Sequence, residues 1–202
     1  MEGERKVLSV MEQLQDDQPM VQGKKFGIRA LSWIIDQLFM YAIDYATGFL
    51  AGMFIGYALM LMDIEVNYFQ ELPWGLSLLL GLFGALVYAV SFEAFFGATI
   101  GKLLLGMRVI KTDGTPCDFK AALVRGVLRF VDAIVFGLIA YMSMKPPLYQ
   151  RLGDQSAKTL VVSSRDPIIR EARSWDWIIL AGLFYLVING IVTVLILLMM
   201  IR

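Results

Sequence analysis

The chain lacks histidine altogether and holds a single cysteine, Cys117, among its 202 residues. Those two absences rule out a Ser-His-Asp triad, a zinc site of the Cys/His kind and a disulfide framework within the chain. Net charge is missing as well, since 18 basic residues balance 18 acidic ones. Residues 1–25 contain no apolar core of signal-peptide type, so the first span is expected to act as its own insertion signal. No metal, cofactor, catalytic residue or nucleic-acid partner is assigned.

What the chain has instead is apolar length. Hydrophobic residues make up 58% of it and the mean hydropathy is +0.66. The apolar residues fall in long runs, Arg29 to Met62, Gly75 to Phe96 and Trp177 to Ile201. About 20 apolar residues suffice to cross about 30 Å of hydrocarbon. The fold class is therefore all-α, a polytopic membrane protein with three transmembrane helices, spanning 30–62, 75–96 and 177–201. Ala121 to Met144 is different. Its basic first half is amphipathic, and the purely apolar part after Asp132 is too short to cross. A crossing would also carry Lys145, Arg151, Lys158, Arg165, Arg170 and Arg173 outside, so the segment reads as a re-entrant or interfacial helical hairpin.

Met107 to Thr112 alternates in strand fashion up to an Asp113-Gly114 turn signal, and Leu160 to Ser163 is a second β-prone piece. Together they predict a small cytoplasmic β-element. The domain organisation expected is a polar cytoplasmic tail (1–25), a membrane domain (26–165), a linker (166–176) and a C-terminal transmembrane helix (177–201). Within the tail, Val7, Leu8, Val10, Met11 and Leu14 fall at helical spacing, which fits a surface-lying helix as well as a disordered tail.

Charge gives the expected topology. Asp63 to Leu72 holds Asp63, Glu65 and Glu71 without any lysine or arginine, which makes this loop external and its flanks cytoplasmic. That arrangement leaves every one of the 18 basic residues except Arg202 inside. The expectation is a multi-pass protein of the cell membrane with its N-terminus cytoplasmic and its C-terminus external.

The anomaly is charge inside the first run. Arg29 stands at its mouth, and Asp36 and Asp44 lie within it. An aspartate at the centre of a span costs about 2.5–3.5 kcal/mol, so intramembrane acids point to function or to a partner. Arg29 and Asp36 share a helix face about 10 Å apart along the axis, and Asp44 lies about 80° round from Asp36. Asp44, Gly48, Gly52 and Gly56 follow at intervals of one turn, overlapping GxxxG units that let a second backbone approach closely. In a structural role the acids pair with a neighbouring helix or sit at headgroup depth, and the run is long enough, about 50 Å, for either. In the last run, Asn189 and Thr193 are candidate interhelical hydrogen bonders.

Three blocks together resemble the RDD family of small membrane proteins, named for an arginine and two aspartates. The first is Arg29 with Asp36. The second is EAFFGATIGKLLLGMRV, from Glu93 to Val109, and the third is QRLGDQSAKTLV, from Gln150 to Val161. The resemblance covers about residues 26 to 163 and makes Asp154 the second name-giving aspartate. Asp44 belongs to none of the blocks, and the N-terminal tail and the final span look like additions. The family implies transport of small solutes, exchange of sodium-like cations for protons, or assistance to membrane complexes. Read from the residues themselves, Lys102, Arg125 or Arg129 could pair with Glu93, and Asp154 could serve as a helix cap or an ion-pair hub.

Two functions follow as expectations. The first is a transporter, most concretely a sodium/proton exchanger, with Arg29, Asp36, Asp44, Glu93 and Asp154 as candidate ion- or proton-binding residues. Asp36 and Asp44 would bind, and Arg29 would hold Asp36 ionised or compete for it. With three spans such a protein needs a homo-oligomer, docked through Gly48, Gly52 and Gly56. The second is a non-catalytic scaffold or regulator of another membrane protein, held on the lipid bilayer by its basic segments.

Overall fold

The computed structural model describes residues 22–63, 73–133, 137–171 and 173–200. The tail helix suggested around Val7 to Leu14 and most of the acidic loop lie outside the described residues. In chain order the elements are helix α1 (Phe26–Leu61), α2 (Trp74–Phe95), α3 (Ile100–Leu104), strand β1 (Met107–Lys111), α4 (Phe119–Ala133), α5 (Leu138–Ser143), α6 (Leu152–Ser156), strand β2 (Thr159–Ser163) and α7 (Asp176–Met200). The helices α1, α2 and α7 are long and apolar enough to cross a membrane. Together with the two-stranded sheet they give the expected fold class.

The structure distributes burial unevenly along the long helices. In α1 the buried side chains are Arg29, Ser32, Asp36 and Met40, spaced by three or four residues and so on one face, all in its first half. Beyond Met40 the helix presents Phe49, Leu50, Phe54 and Tyr57 outward. In α2 burial is confined to the second half, Tyr88 to Ala94. Because α1 and α2 run in opposite directions, both buried halves lie at one end. There Met40, Tyr88 and Phe92 pack with Ala181 and Tyr185 of α7. The rest of the three helices presents apolar side chains to the bilayer, as in a small membrane bundle.

At that same end the chain folds a compact non-spanning unit. It leaves α2 at Gly97, whose φ of +86° is costly for any residue with a Cβ. α3 follows, and β1 then pairs antiparallel with β2, Val109 opposite Val161 and Ile110 opposite Leu160. The pleat separates two cores. Met107, Val109 and Val161 pack with Val90, Cys117 and Ala122, whereas Ile110, Leu160 and Val162 form a second cluster.

The segment expected as a helical hairpin forms two short helices in contact, α4, of 15 residues, and α5, of 6. Both are shorter than a span requires. Residues 134–136 lie outside the described residues, and Gly137 at φ +81° opens α5. α4 packs along α2 and against α6, laying its basic side chains against the acids of those helices.

Candidate functional site

The arginine and the acids of the three sequence blocks meet at this end of the bundle. Arg125 of α4 stands at the centre, fully buried. Its Nε donates to Glu93 Oε2 at 2.8 Å, its Nη1 donates to Asp154 Oδ1, and the same Nη1 donates to Thr159 Oγ1 at 2.7 Å. One guanidinium thus ties α2, α6 and β2 to α4. Glu93 also accepts from Lys102 Nζ and, at 2.9 Å, from Arg129 Nη2, so that all three basic residues named as possible partners pair with it. Charge-assisted bonds of this kind are about twice as strong as neutral ones.

Asp154 is the second hub. Arg29 Nη2 donates to its Oδ2 at 2.6 Å, and the Arg151 backbone N–H reaches the same oxygen at 2.9 Å, capping α6. Burial works to raise the Asp154 carboxyl, but Arg125, Arg29 and Arg151 outweigh it and hold the group well below the usual carboxylate range. Lys102, in contrast, is pulled down to about 8 by burial despite its bond to Glu93.

Asp36 is not held by Arg29, as the shared helix face suggested. Arg29 turns to Asp154 and to the Tyr149 carbonyl, at 3.0 Å. Asp36 instead accepts three neutral donors, the Tyr88 hydroxyl at 2.8 Å, Thr99 Oγ1 at 2.7 Å and the Gly101 backbone N–H at 2.7 Å. Helical periodicity placed the two residues on one face, but α2, α3 and α6 reach that face at different heights. The reach of α3 depends on Gly101, where a Cβ would overlap the Ser32 carbonyl. Tyr88 and Thr99 were not singled out from sequence; a lone phenol in an apolar span was the available signal.

Asp44 stands apart, two turns further into α1, about 12 Å along the axis from Asp36. Asn189 Nδ2 donates to its Oδ1 at 2.7 Å and the Tyr185 hydroxyl donates to the same oxygen at 3.3 Å. Thr47 Oγ1 in turn donates to Asn189 Oδ1 at 2.9 Å. Asp44 borders a cavity of about 260 Å³ among α1, α2 and α7, to which Ser77 and Thr193 also contribute. Gly48, Gly52 and Gly56 have no neighbour within 4 Å of where a Cβ would stand, so no helix among the described residues packs closely on them. Among the described residues no group of three or more acids and cysteines could hold a metal ion.

A model of the RDD family matches residues 24–201. The chain belongs to the RDD family. The match runs through α7, so the final helix of this RDD protein is part of the family unit and not an addition to it, in keeping with its packing on Tyr88 and Met40. Of the arginine and two aspartates in the resembling blocks, Arg29 and Asp154 are bonded to each other, while Asp36 pins α1 to α2 and α3. No curated protein and no solved structure matches the chain.

Proposed function

We propose that this RDD protein binds and moves a proton or a small cation such as sodium, with Asp44 as the binding carboxylate, and that it has no enzymatic chemistry. One observation supports the reading. Asp36 and Glu93 have both oxygens occupied by fixed donors, whereas both donors to Asp44 reach Oδ1 and no described group bonds Oδ2; Asp44 borders a largely apolar cavity that also takes in Ser77, Tyr185, Asn189 and Thr193. Oxygen ligands of this kind suit hard cations. A carboxylate able to hold either a proton or a cation is the minimal part of an exchanger, and an acid within a span is a functional candidate by default. In this reading Asp36, Glu93 and Asp154 build the scaffold. The basic end faces the cytoplasm of a cell membrane, the side that basic residues prefer.

The test is sodium-driven proton flux in proteoliposomes. Asp44→Asn should lower it more than about tenfold while inserting normally, the effect of losing about 1.4 kcal/mol of transition-state stabilisation or more. Asp36→Asn should instead reduce the yield of folded protein. Undiminished flux in Asp44→Asn would remove the assignment.

A second reading is favoured by the bare glycine face. As a scaffold, the protein would receive a helix of a membrane partner, or of a second copy, on Gly48, Gly52 and Gly56. A Cβ at Gly52 meets nothing within 4 Å among the described residues, so in Gly52→Leu the monomer should fold unchanged while association in the bilayer, counted by single-molecule photobleaching, falls. Association equal to wild type would count against this face.

A further inference from the structure

The buried cluster is unbalanced. Five basic side chains, Arg29, Lys102, Arg125, Arg129 and Arg151, are ion-paired with three carboxylates, Glu93, Asp132 and Asp154. Among the described residues two positive charges are left over, and with the nearby Asp36 counted one still remains. Taking an uncompensated charge out of water is expensive, so such an excess calls for a counter-charge.

The hydrogen bonds show where it is missing. Arg29 Nε, Arg125 Nη2, Arg129 Nε and Arg151 Nε are buried donors without an acceptor among the described residues. Arg29 and Arg125 are sealed, but the side chains of Arg129 and Arg151 remain 17% and 18% exposed and form the open edge of the cluster. Arg129 lies one helical turn from Asp132, and Arg151 Nε stands 3.8 Å from Asp132 Oδ2 and 3.9 Å from Asp154 Oδ2, too long for hydrogen bonds. Both arginines therefore flank one acid, and neither is satisfied by it. The Arg151 guanidinium is pulled down to about 9 by burial and by the repulsion of Arg29 and Arg129. Leu152, the chain neighbour of Arg151, is an exposed apolar side chain at this edge.

We infer that Arg129 and Arg151 form a binding site for a phosphate group, the headgroup of an anionic phospholipid or free phosphate, which completes the charge balance of the buried cluster. Planar guanidiniums with free N–H donors are the protein groups best matched to phosphate oxygens. Asp132 Oδ1, also unpaired and buried, borders the site. Burial pushes the Asp132 carboxyl up. The site is separate from Asp44 and does not depend on transport.

The experiment is thermal unfolding of the full-length protein in lipid-free detergent. The additions, at matched ionic strength, are dioleoylphosphatidic acid, dioleoylglycerol, which has the same chains without phosphate, and sodium phosphate. Phosphatidic acid should raise Tm by about 5 °C at saturation, and dioleoylglycerol should not. In Arg151→Gln the rise should vanish while the lipid-free Tm stays at or above the wild-type value, because a surplus cation has been removed. A rise with sodium phosphate as well would identify free phosphate as a sufficient ligand. An equal rise with dioleoylglycerol, an undiminished rise in Arg151→Gln, or no rise with either phosphate source would overturn the site. Should Arg151→Gln not fold, Arg129→Gln is read in the same way. Failure of both to fold would contradict the surplus of cations and also overturn it.

Discussion

Glu93→Gln should destabilise the folded protein by about 3–5 kcal/mol, the usual cost of breaking a buried ion pair from one side. The substitution keeps the volume and nearly the shape of the side chain, so the loss measures charge. Glu93 is the common acceptor of Lys102, Arg125 and Arg129. Neutralising it leaves five cations facing two carboxylates and deepens an imbalance already present. Removing a base moves the cluster the other way. Lys102→Met should therefore cost less than Glu93→Gln, and the double variant should recover part of the single loss, a coupling that a double-mutant cycle reads directly. Denaturant midpoints in detergent would measure all three. A Glu93→Gln variant within about 1 kcal/mol of wild type would show that the ion cluster contributes little to holding α2 on α4, since the whole stability of a domain is only about 5–15 kcal/mol.

Gly101→Ala should be at least as severe, for a steric reason. A Cβ at this position overlaps the Ser32 carbonyl and reaches the Asp36 carboxylate at 3.0 Å. The obstacle is helix backbone, which cannot rotate away as a side chain can. α3 must lift off α1, an overpacking cost of about 1–3 kcal/mol. The Gly101 N–H and Thr99 hydroxyl then leave Asp36, and each lost bond to a charged group adds about 1.5–3 kcal/mol. Gly48→Ala is the matched control. It meets nothing within 4 Å and lies inside a helix, where alanine is favoured over glycine by about 1 kcal/mol. Unfolding midpoints should fall for Gly101→Ala and hold or rise for Gly48→Ala. Equal behaviour of the two would mean that α3 does not depend on this close approach.

The long helices were readable in the chain because length and apolar composition are local properties, and the bilayer imposes the same demand on any segment that crosses it. The strands were readable for a related reason. Val109 and Ile110 alternate between two cores with the pleat, and the Asp113-Gly114 turn marks where β1 ends. The pairing of Glu93 with Lys102, Arg125 and Arg129 could also be anticipated, since those basic residues follow the acid closely in a segment otherwise short of acids.

Partners distant in sequence could not be read. Arg29 and Asp36 share a face of α1, and nothing in that spacing reveals that Asp154, 125 positions away, takes the arginine. Nor does it reveal that Tyr88, Thr99 and Gly101 take the aspartate. The final helix looked separable because its composition is that of any span. Its place in the core depends on Ala181 and Tyr185 meeting Met40 and Tyr88, which no local pattern encodes. By itself, then, the sequence determined the membrane class, the long helices, the small sheet and the family. Only the tertiary structure decided which charges neutralise one another, because that depends on where separate helices bring their side chains together. It thereby left Asp44 with an oxygen to offer and Arg129 and Arg151 without a full counter-charge.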